Sequence, residues 1–244
     1  MQAHKHIPLY SFKNPLSTMK LPLALIFILF FVPVVSAQSL QVHASAGVDF
    51  ASTYRAQEQP GWPLLRGRHF LPLISAGFNK MTAAGNLHSL SVLLTAENHS
   101  LESDNPLVGN AGETSYYRNA VQYEIMFPLS ETGRRHQLFI GYAVSAAHGL
   151  FRFSPSSSFY FPQTRREVML EGGGILQYRH KLQSGAVFFG AFNLNIIRTA
   201  VEWSRVENPL LTEEQKTGRL FEMELGSRAF VRAGMCVNLT QNSQ

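Results

Sequence analysis

His43 and Ser45 stand two residues apart, and Asp49 follows at the same parity. On an extended chain alternate side chains share a face. An imidazole, a hydroxyl and a carboxylate would then line one side of a ribbon, the group types that nucleophilic acyl transfer draws on. His88 and Ser89 are adjacent, so a regular strand sends them to opposite faces and they form no pair. Gly172, Gly173 and Gly174 (EGGGILQY) make no phosphate loop, because no helix and no Lys-Ser/Thr pair follows. Glycines inside a strand instead permit a bend or a close backbone approach. No His/Cys cluster has metal-ligand spacing, and neither a metal nor another cofactor is expected.

The elements that must position these residues are strands. The clearest is Tyr117–Leu129, where Tyr117, Val121, Tyr123, Ile125, Phe127 and Leu129 alternate with Arg118, Gln122, Glu124 and Met126. Seven more stretches alternate likewise: Leu40–Ala51, Phe70–Asn79, Leu87–Glu97, Gln137–Ala146, Arg166–Tyr178, Ala186–Ile197 and Phe221–Leu239. Apart from Arg166, which opens its stretch, none carries Asp, Glu, Lys or Arg on its apolar face. The opposite face collects Asp49, Glu97, Arg118, Glu124, Glu167, Glu171, Glu222, Glu224, Arg228 and Arg232. Residues about ten to a segment suit a tilted strand crossing a bilayer.

Residues 1–37 stand apart. Lys20 precedes the apolar run Leu21–Val35, and Val35-Ser36-Ala37 supplies small residues before a cut, the pattern of a secretory signal peptide. Pro33 and the short run argue against a spanning helix, and a start at Met19 gives a leader of ordinary length. Lys5, Lys13 and Lys20 all lie in this leader, which leaves 18 basic against 16 acidic residues of the 21 and 16 in the whole chain. A balance near +2, without a basic run, excludes nucleic acid as the expected partner. A single cysteine, Cys236, excludes an internal disulfide.

Alternation alone leaves two eight-stranded barrels open. A soluble, lipocalin-like lipid binder turns its apolar face inward around a ligand. A membrane barrel turns it outward, because a charge at the lipid midplane costs about 2–4 kcal/mol. Connector lengths favour the second. Lys80–Asn86, Ser130–His136 and Arg179–Gly185 are short, whereas Ser52–His69, Asn98–Tyr116, Ala147–Thr164 and Arg198–Leu220 are long. Short and long connectors therefore fall at opposite ends, as in outer-membrane barrels. Phe50, Phe70, Tyr117 and Phe221 would mark the outer rim, and Phe78, Phe127, Tyr178 and Phe188 the inner one.

This pattern, over nearly the whole chain after the leader, resembles the small eight-stranded bacterial outer-membrane barrels of the OmpA/OmpX type. The leader ending Val35-Ser36-Ala37-Gln38 resembles those of Bacteroidetes outer-membrane proteins. The resemblance implies an all-β, eight-stranded antiparallel up-and-down transmembrane barrel over 38–244, exported to the outer membrane of a Gram-negative cell. One departure is the polar tail TQNSQ after Leu239, where such barrels often end on an aromatic residue. His-x-Ser on a strand also resembles the arrangement of outer-membrane lipid A deacylases, in which His43 would be the base and Ser45 the nucleophile. Here the pair would point into a lumen that an acyl chain does not easily reach. The preferred function is therefore non-enzymatic, with a lipid A enzyme and a soluble lipid-binding barrel as alternatives.

Eight strands enclose an interior just wide enough for side chains to fill. The expected lumen network pairs Arg118, Arg228 and Arg232 with Glu124, Glu167, Glu171, Glu222 and Glu224, since an unpaired buried charge is expensive. Surface function falls to the long connectors. Ala147–Thr164 is the richest, with Phe151, Arg152, Phe153, Phe159, Tyr160 and Phe161 around a serine-rich turn. These residues suit contact with lipopolysaccharide or a protein partner, or else they extend the fifth and sixth strands above the membrane. Asn208–Lys216 is expected to form a helical turn after Pro209.

Overall fold

Every alternating stretch becomes a strand, and each strand pairs antiparallel with the next. The computed structural model describes residues 37–51, 69–102, 110–131, 134–156 and 160–239; the expected leader, most of the first long connector, Phe159 and the polar tail after Leu239 lie outside them. The strands are β1 (Ala37–Ala51), β2 (His69–Thr82), β3 (Leu87–Glu102), β4 (Asn110–Pro128), β5 (His136–Pro155), β6 (Gln163–Lys181), β7 (Val187–Val206) and β8 (Thr217–Asn238). β8 returns to β1, closing an up-and-down barrel in which sequence neighbours are spatial neighbours. Tight turns close the first and third short connectors. Gly85 and Gly185 take φ of 82° and 83° there, a backbone region open to glycine at little cost.

The barrel turns its apolar face outward. Val42, Ile74, Val92, Ile140, Phe192 and Val231 are all exposed, whereas Asp49, Arg118, Glu124, Glu171 and Arg232 are buried. The lumen is not wholly polar, because two apolar groups share it. Leu87, Met126, Phe139, Ile175 and Phe189 pack near the short-turn end, and Leu73, Leu93, Met169 and Phe230 pack in a second group. The aromatic residues expected at the rims, Phe50, Tyr117 and Phe221 at one end and Phe78, Phe127, Tyr178 and Phe188 at the other, are exposed on the outer face; the side chain of Phe70 lies outside the described residues.

The strands outrun their predicted bounds, mostly toward the long connectors. β4 begins at Asn110 rather than Tyr117, β5 runs to Pro155 rather than Ala146, and β7 runs to Val206 rather than Ile197. Ladder pairing needs backbone partners and no apolar face, so it continues where the alternation of hydrophobicity stops. The connectors expected at Ala147–Thr164 and Arg198–Leu220 shrink accordingly. In the last one, Glu213–Lys216 forms the single helical turn α1, closed by a capping box between Thr212 and Gln215.

Two departures from regular pairing shape the wall. Gly172 faces Ile197 while Gly173 faces Asn195, so Ile196 is an extra residue on β7. Both Ile196 and Ile197 are therefore exposed, which corrects the inward position expected of Ile197. Beyond this bulge the parity of β7 reverses, and Arg198 turns inward. The second feature is a seam. The β2–β3 ladder runs only from Leu73↔Thr95 to Met81↔Leu87, although β3 stays paired with β4 up to Glu102↔Asn110. Pro72, which has no N–H to donate, stands where the β2–β3 pairing stops. A pocket of about 530 Å³ opens on the outer wall there, lined by Pro72, Ile74, Leu94, Ala96, Tyr117 and Leu150.

The three central glycines of β6 are not equivalent. A Cβ on Gly173 would fall on the Leu194 carbonyl oxygen and close to Asn195 Cα, whereas one on Gly174 would meet only Gly141 O at 4.0 Å and one on Gly190 meets nothing within 4 Å. Gly173→Val should therefore destabilise the barrel by about 1–3 kcal/mol, the usual cost of forced overpacking, while Gly190→Ala should leave it unchanged. The fraction of heat-sensitive, fast-migrating protein after refolding in micelles reads both.

Candidate functional site

Parity along each strand decides which charges enter the lumen, and ladder register then decides which of them meet. Asp49 on β1, Arg118 on β4, Glu171 on β6 and Arg228 on β8 converge in the middle of the barrel. Arg228 donates to Asp49 Oδ1 from Nε at 2.6 Å and to Asp49 Oδ2 from Nη2, and its Nη1 reaches Glu171 Oε2 at 3.2 Å. Arg118 donates to the same Glu171 oxygen, and lies 3.9 Å from Asp49. Ser145 and Asn195 add donors to Glu171 at 3.1 and 3.0 Å. Two guanidinium groups and two carboxylates, all buried, thus neutralise one another with bidentate geometry at the strongest contact.

Toward the long connectors the balance becomes acidic. Arg198 donates to Glu167 at 2.9 Å, Glu224 at 3.1 Å and Glu222 at 3.4 Å. Arg165 lies 2.6 Å from Glu202 and 3.8 Å from Glu167, and the Tyr116 hydroxyl donates to Glu167 at 3.1 Å. Four carboxylates therefore share two guanidinium groups, with Glu97 also toward this end of β3. Glu222 and Glu224 are half-buried rather than enclosed.

Toward the short turns the sign changes. Arg232 donates to Glu124 Oε1, which also accepts from Gln122 and, at 3.4 Å, from Asn193. Beyond this pair Arg179 donates to the side-chain oxygen of Gln41, and Gln41 donates to Asn238 at 2.8 Å. Among the described residues, then, the lumen runs from acidic through neutral to basic along its axis.

All eight charges expected in the network, Arg118, Glu124, Glu167, Glu171, Glu222, Glu224, Arg228 and Arg232, do face the lumen, and they divide into the groups above rather than forming one network. Asp49 is as central as any of them. Alternation of hydrophobicity does not reveal Arg165, Arg179, Arg198 or Glu202, because all four lie beyond the predicted bounds of β6 and β7. The bulge at Ile196 also sets the face of Arg198 and Glu202. The double apolar Ile196-Ile197, which breaks alternation, is the available signal.

His43, Ser45 and Asp49 share a face but not a bond. His43 Nε2 lies 3.1 Å from Ser91 Oγ, Ser45 Oγ lies 2.5 Å from Ser75 Oγ, and Asp49 is taken by Arg228. The expected base–nucleophile pair is therefore absent as a contact. His88 and Ser89 do part: His88 bonds the Tyr123 hydroxyl at 2.7 Å, and Ser89 faces Ser91 at 3.3 Å.

The aromatic residues expected on a surface connector are split by the longer β5. Phe151, Arg152 and Phe153 belong to that strand. Phe153 is 2% exposed and faces inward, so it is withdrawn from any surface patch, and Tyr160 meets it edge-on at 6.4 Å between ring centroids. Arg152 is exposed, and Tyr160 and Phe161 are half-buried. A feature the sequence does not announce lies on the neighbouring strands. Arg166, Trp203 and Arg219 stand in one row across β6, β7 and β8, with the Arg219 guanidinium 5.8 Å from the indole centroid. Both arginines are exposed, directly beyond the apolar row Val168, Val201 and Phe221.

No protein-family model matches this chain, and no curated protein matches it in sequence. Its fold is similar to that of a major outer membrane protein from Thermus thermophilus, known from a crystal structure, with a TM-score of 0.50 and 9% sequence identity. The match covers 83% of this chain and 100% of that one. At such identity the likeness is one of fold: an all-β, antiparallel, ring-closed barrel of the kind found in an outer-membrane protein.

Because Asp49 receives two of the Arg228 donors, removing the arginine strands a buried carboxylate. Arg228→Met should cost about 3–5 kcal/mol, and adding Asp49→Leu should recover much of that loss. Thermal midpoints of the folded band for the wild type, both single variants and the double variant measure the coupling.

Proposed function

We propose that this chain is an integral outer-membrane protein with a structural or surface-interaction role, exported by residues 1–37 as a cleaved signal peptide and spanning the membrane with residues 38–244. The observation that carries the reading is the polarity of the wall. Large apolar side chains cover the outside of the ring while paired charges fill the inside, an arrangement that water on the outside would oppose and lipid would favour. The fold of the Thermus outer-membrane protein supports the same location.

The row Arg166–Trp203–Arg219 supports contact with the anionic head groups of outer-membrane lipid and lipopolysaccharide. An indole prefers the polar–apolar boundary, and two exposed guanidinium groups beside it are fitted to phosphate. Arg152, Tyr160 and Phe161 extend the surface available to a protein partner. In this reading the lumen is plugged at its centre: the Asp49–Arg118–Glu171–Arg228 group blocks the path by which an ion would cross it.

Refolding residues 38–244 tests the central claim. β-sheet circular dichroism and a heat-dependent gel shift should appear in detergent micelles and not in plain buffer; a monomeric β-rich protein without detergent refutes the membrane assignment. In planar bilayers the same protein should show no steady conductance, and stable channels would remove the plug.

A further inference from the structure

Asp49, Glu167, Glu171, Glu202, Glu222 and Glu224 each have a guanidinium partner, but two guanidinium groups at the short-turn end keep unused donors. Arg179 is 1% exposed, yet its Nη2 donates to the neutral Gln41 side chain, and its Nε and Nη1 are left over. Arg232 is 2% exposed; it gives Nη2 to Glu124 and leaves Nε and Nη1 without a partner. His43, also 2% exposed, uses Nε2 on Ser91 and leaves Nδ1 without one. Three acceptors at this end, Glu124 Oε2, Gln177 Oε1 and Asn193 Oδ1, also lack partners. Two buried guanidinium groups nonetheless share the single carboxylate Glu124, and a buried guanidinium without a counter-charge is strongly unfavourable, so the cluster is one negative charge short.

Register places these donors together. Arg179 pairs with Phe189 across β6 and β7. The Arg232 guanidinium lies 6.0 Å from the Phe189 ring centroid, and the His43 ring meets the same phenyl edge-on at 5.8 Å. His43 is itself opposite Cys236 across β1 and β8, and Asn79 donates to the Cys236 sulfur at 3.2 Å. The Phe189 ring thus neighbours the Arg232 guanidinium and the His43 imidazole, and its backbone pairs with that of Arg179. The one carboxylate that meets this cluster, Glu124, is engaged through Oε1 by Arg232, Gln122 and Asn193.

We infer that this end of the lumen binds a small oxyanion, of the phosphate or sulfate class, between Arg179 and Arg232 with His43 as a further donor. An oxyanion accepts several hydrogen bonds at once, and charge-assisted bonds from guanidinium groups are the strongest available to it. Phe139, Val187 and Phe189 pack at the same end, which limits the ligand to a compact one. The site is independent of the outer surface and of any role for it.

The test uses the 38–244 chain refolded in uncharged detergent, with inorganic phosphate as the probe. Isothermal titration at constant ionic strength should give a saturable isotherm of one site, and phosphate should raise the thermal midpoint as mass action requires. Arg179→Gln should weaken binding at least tenfold while keeping the heat-dependent gel shift, and Arg205→Gln on the exposed outer surface should leave binding unchanged. A wild-type protein that responds to phosphate no more than to the same ionic strength of chloride overturns the site, as does equal binding by Arg179→Gln. Should Arg179→Gln fail to fold, the wild-type isotherm still decides, since a site built this way must saturate.

Discussion

Closing eight strands into one ring places every inward side chain against other inward side chains. Among the described residues no second layer packs over the sheet, and the interior holds little more than the side chains themselves. Each charge that parity sends inward must therefore be met by another of opposite sign or by a set of neutral donors and acceptors. Arg228 between Asp49 and Glu171 is the tightest result of that constraint. The same ring forces the backbone into strong curvature, which is why the Cβ that Gly173 lacks would overlap the neighbouring strand. Charge pairing and glycine placement are two answers to one geometric demand.

Outside the ring the demand is reversed. Backbone donors and acceptors are satisfied between strands, so the wall can carry Ile74, Ile140, Phe192 and Val231 with no polar group to offset. That belt ends where exposed Arg166 and Arg219 flank Trp203, although the strands themselves continue. Ladder length and belt height are thus separate quantities: hydrogen bonding sets the first and the surroundings set the second.

The faces are legible in the sequence because a strand has a period of two, and one apolar residue in register fixes the rest. Leu71, Leu73 and Phe230 fall inward with their polar neighbours for that reason alone. Ladder ends are less legible, since Asn110–Tyr116 and Gly149–Pro155 pair by backbone without an apolar stripe. Alternation puts Arg179 in a turn for the same reason, and the basic end of the lumen is lost with it. The spacing of His43 and Ser45 misleads differently. Same-face neighbours on one strand are about 6.6 Å apart along the chain, whereas directly opposed residues on adjacent strands approach to about 5 Å. Ser45 therefore finds Ser75, its cross-strand partner, and not His43.

The seam between β2 and β3 gives the ring a preferred way to yield. Most of its ladders run nearly the full length of the strands they join, but the β1–β2 hairpin is tied to the rest only by the short β2–β3 ladder and by β1–β8, which spans Gln41↔Asn238 to Ala51↔Arg228. Spontaneous opening concentrates where the fewest backbone bonds must break. The barrel is in this respect a cuff with a clasp, and the clasp is the short stretch of ladder that stops beside Pro72 and Ala96.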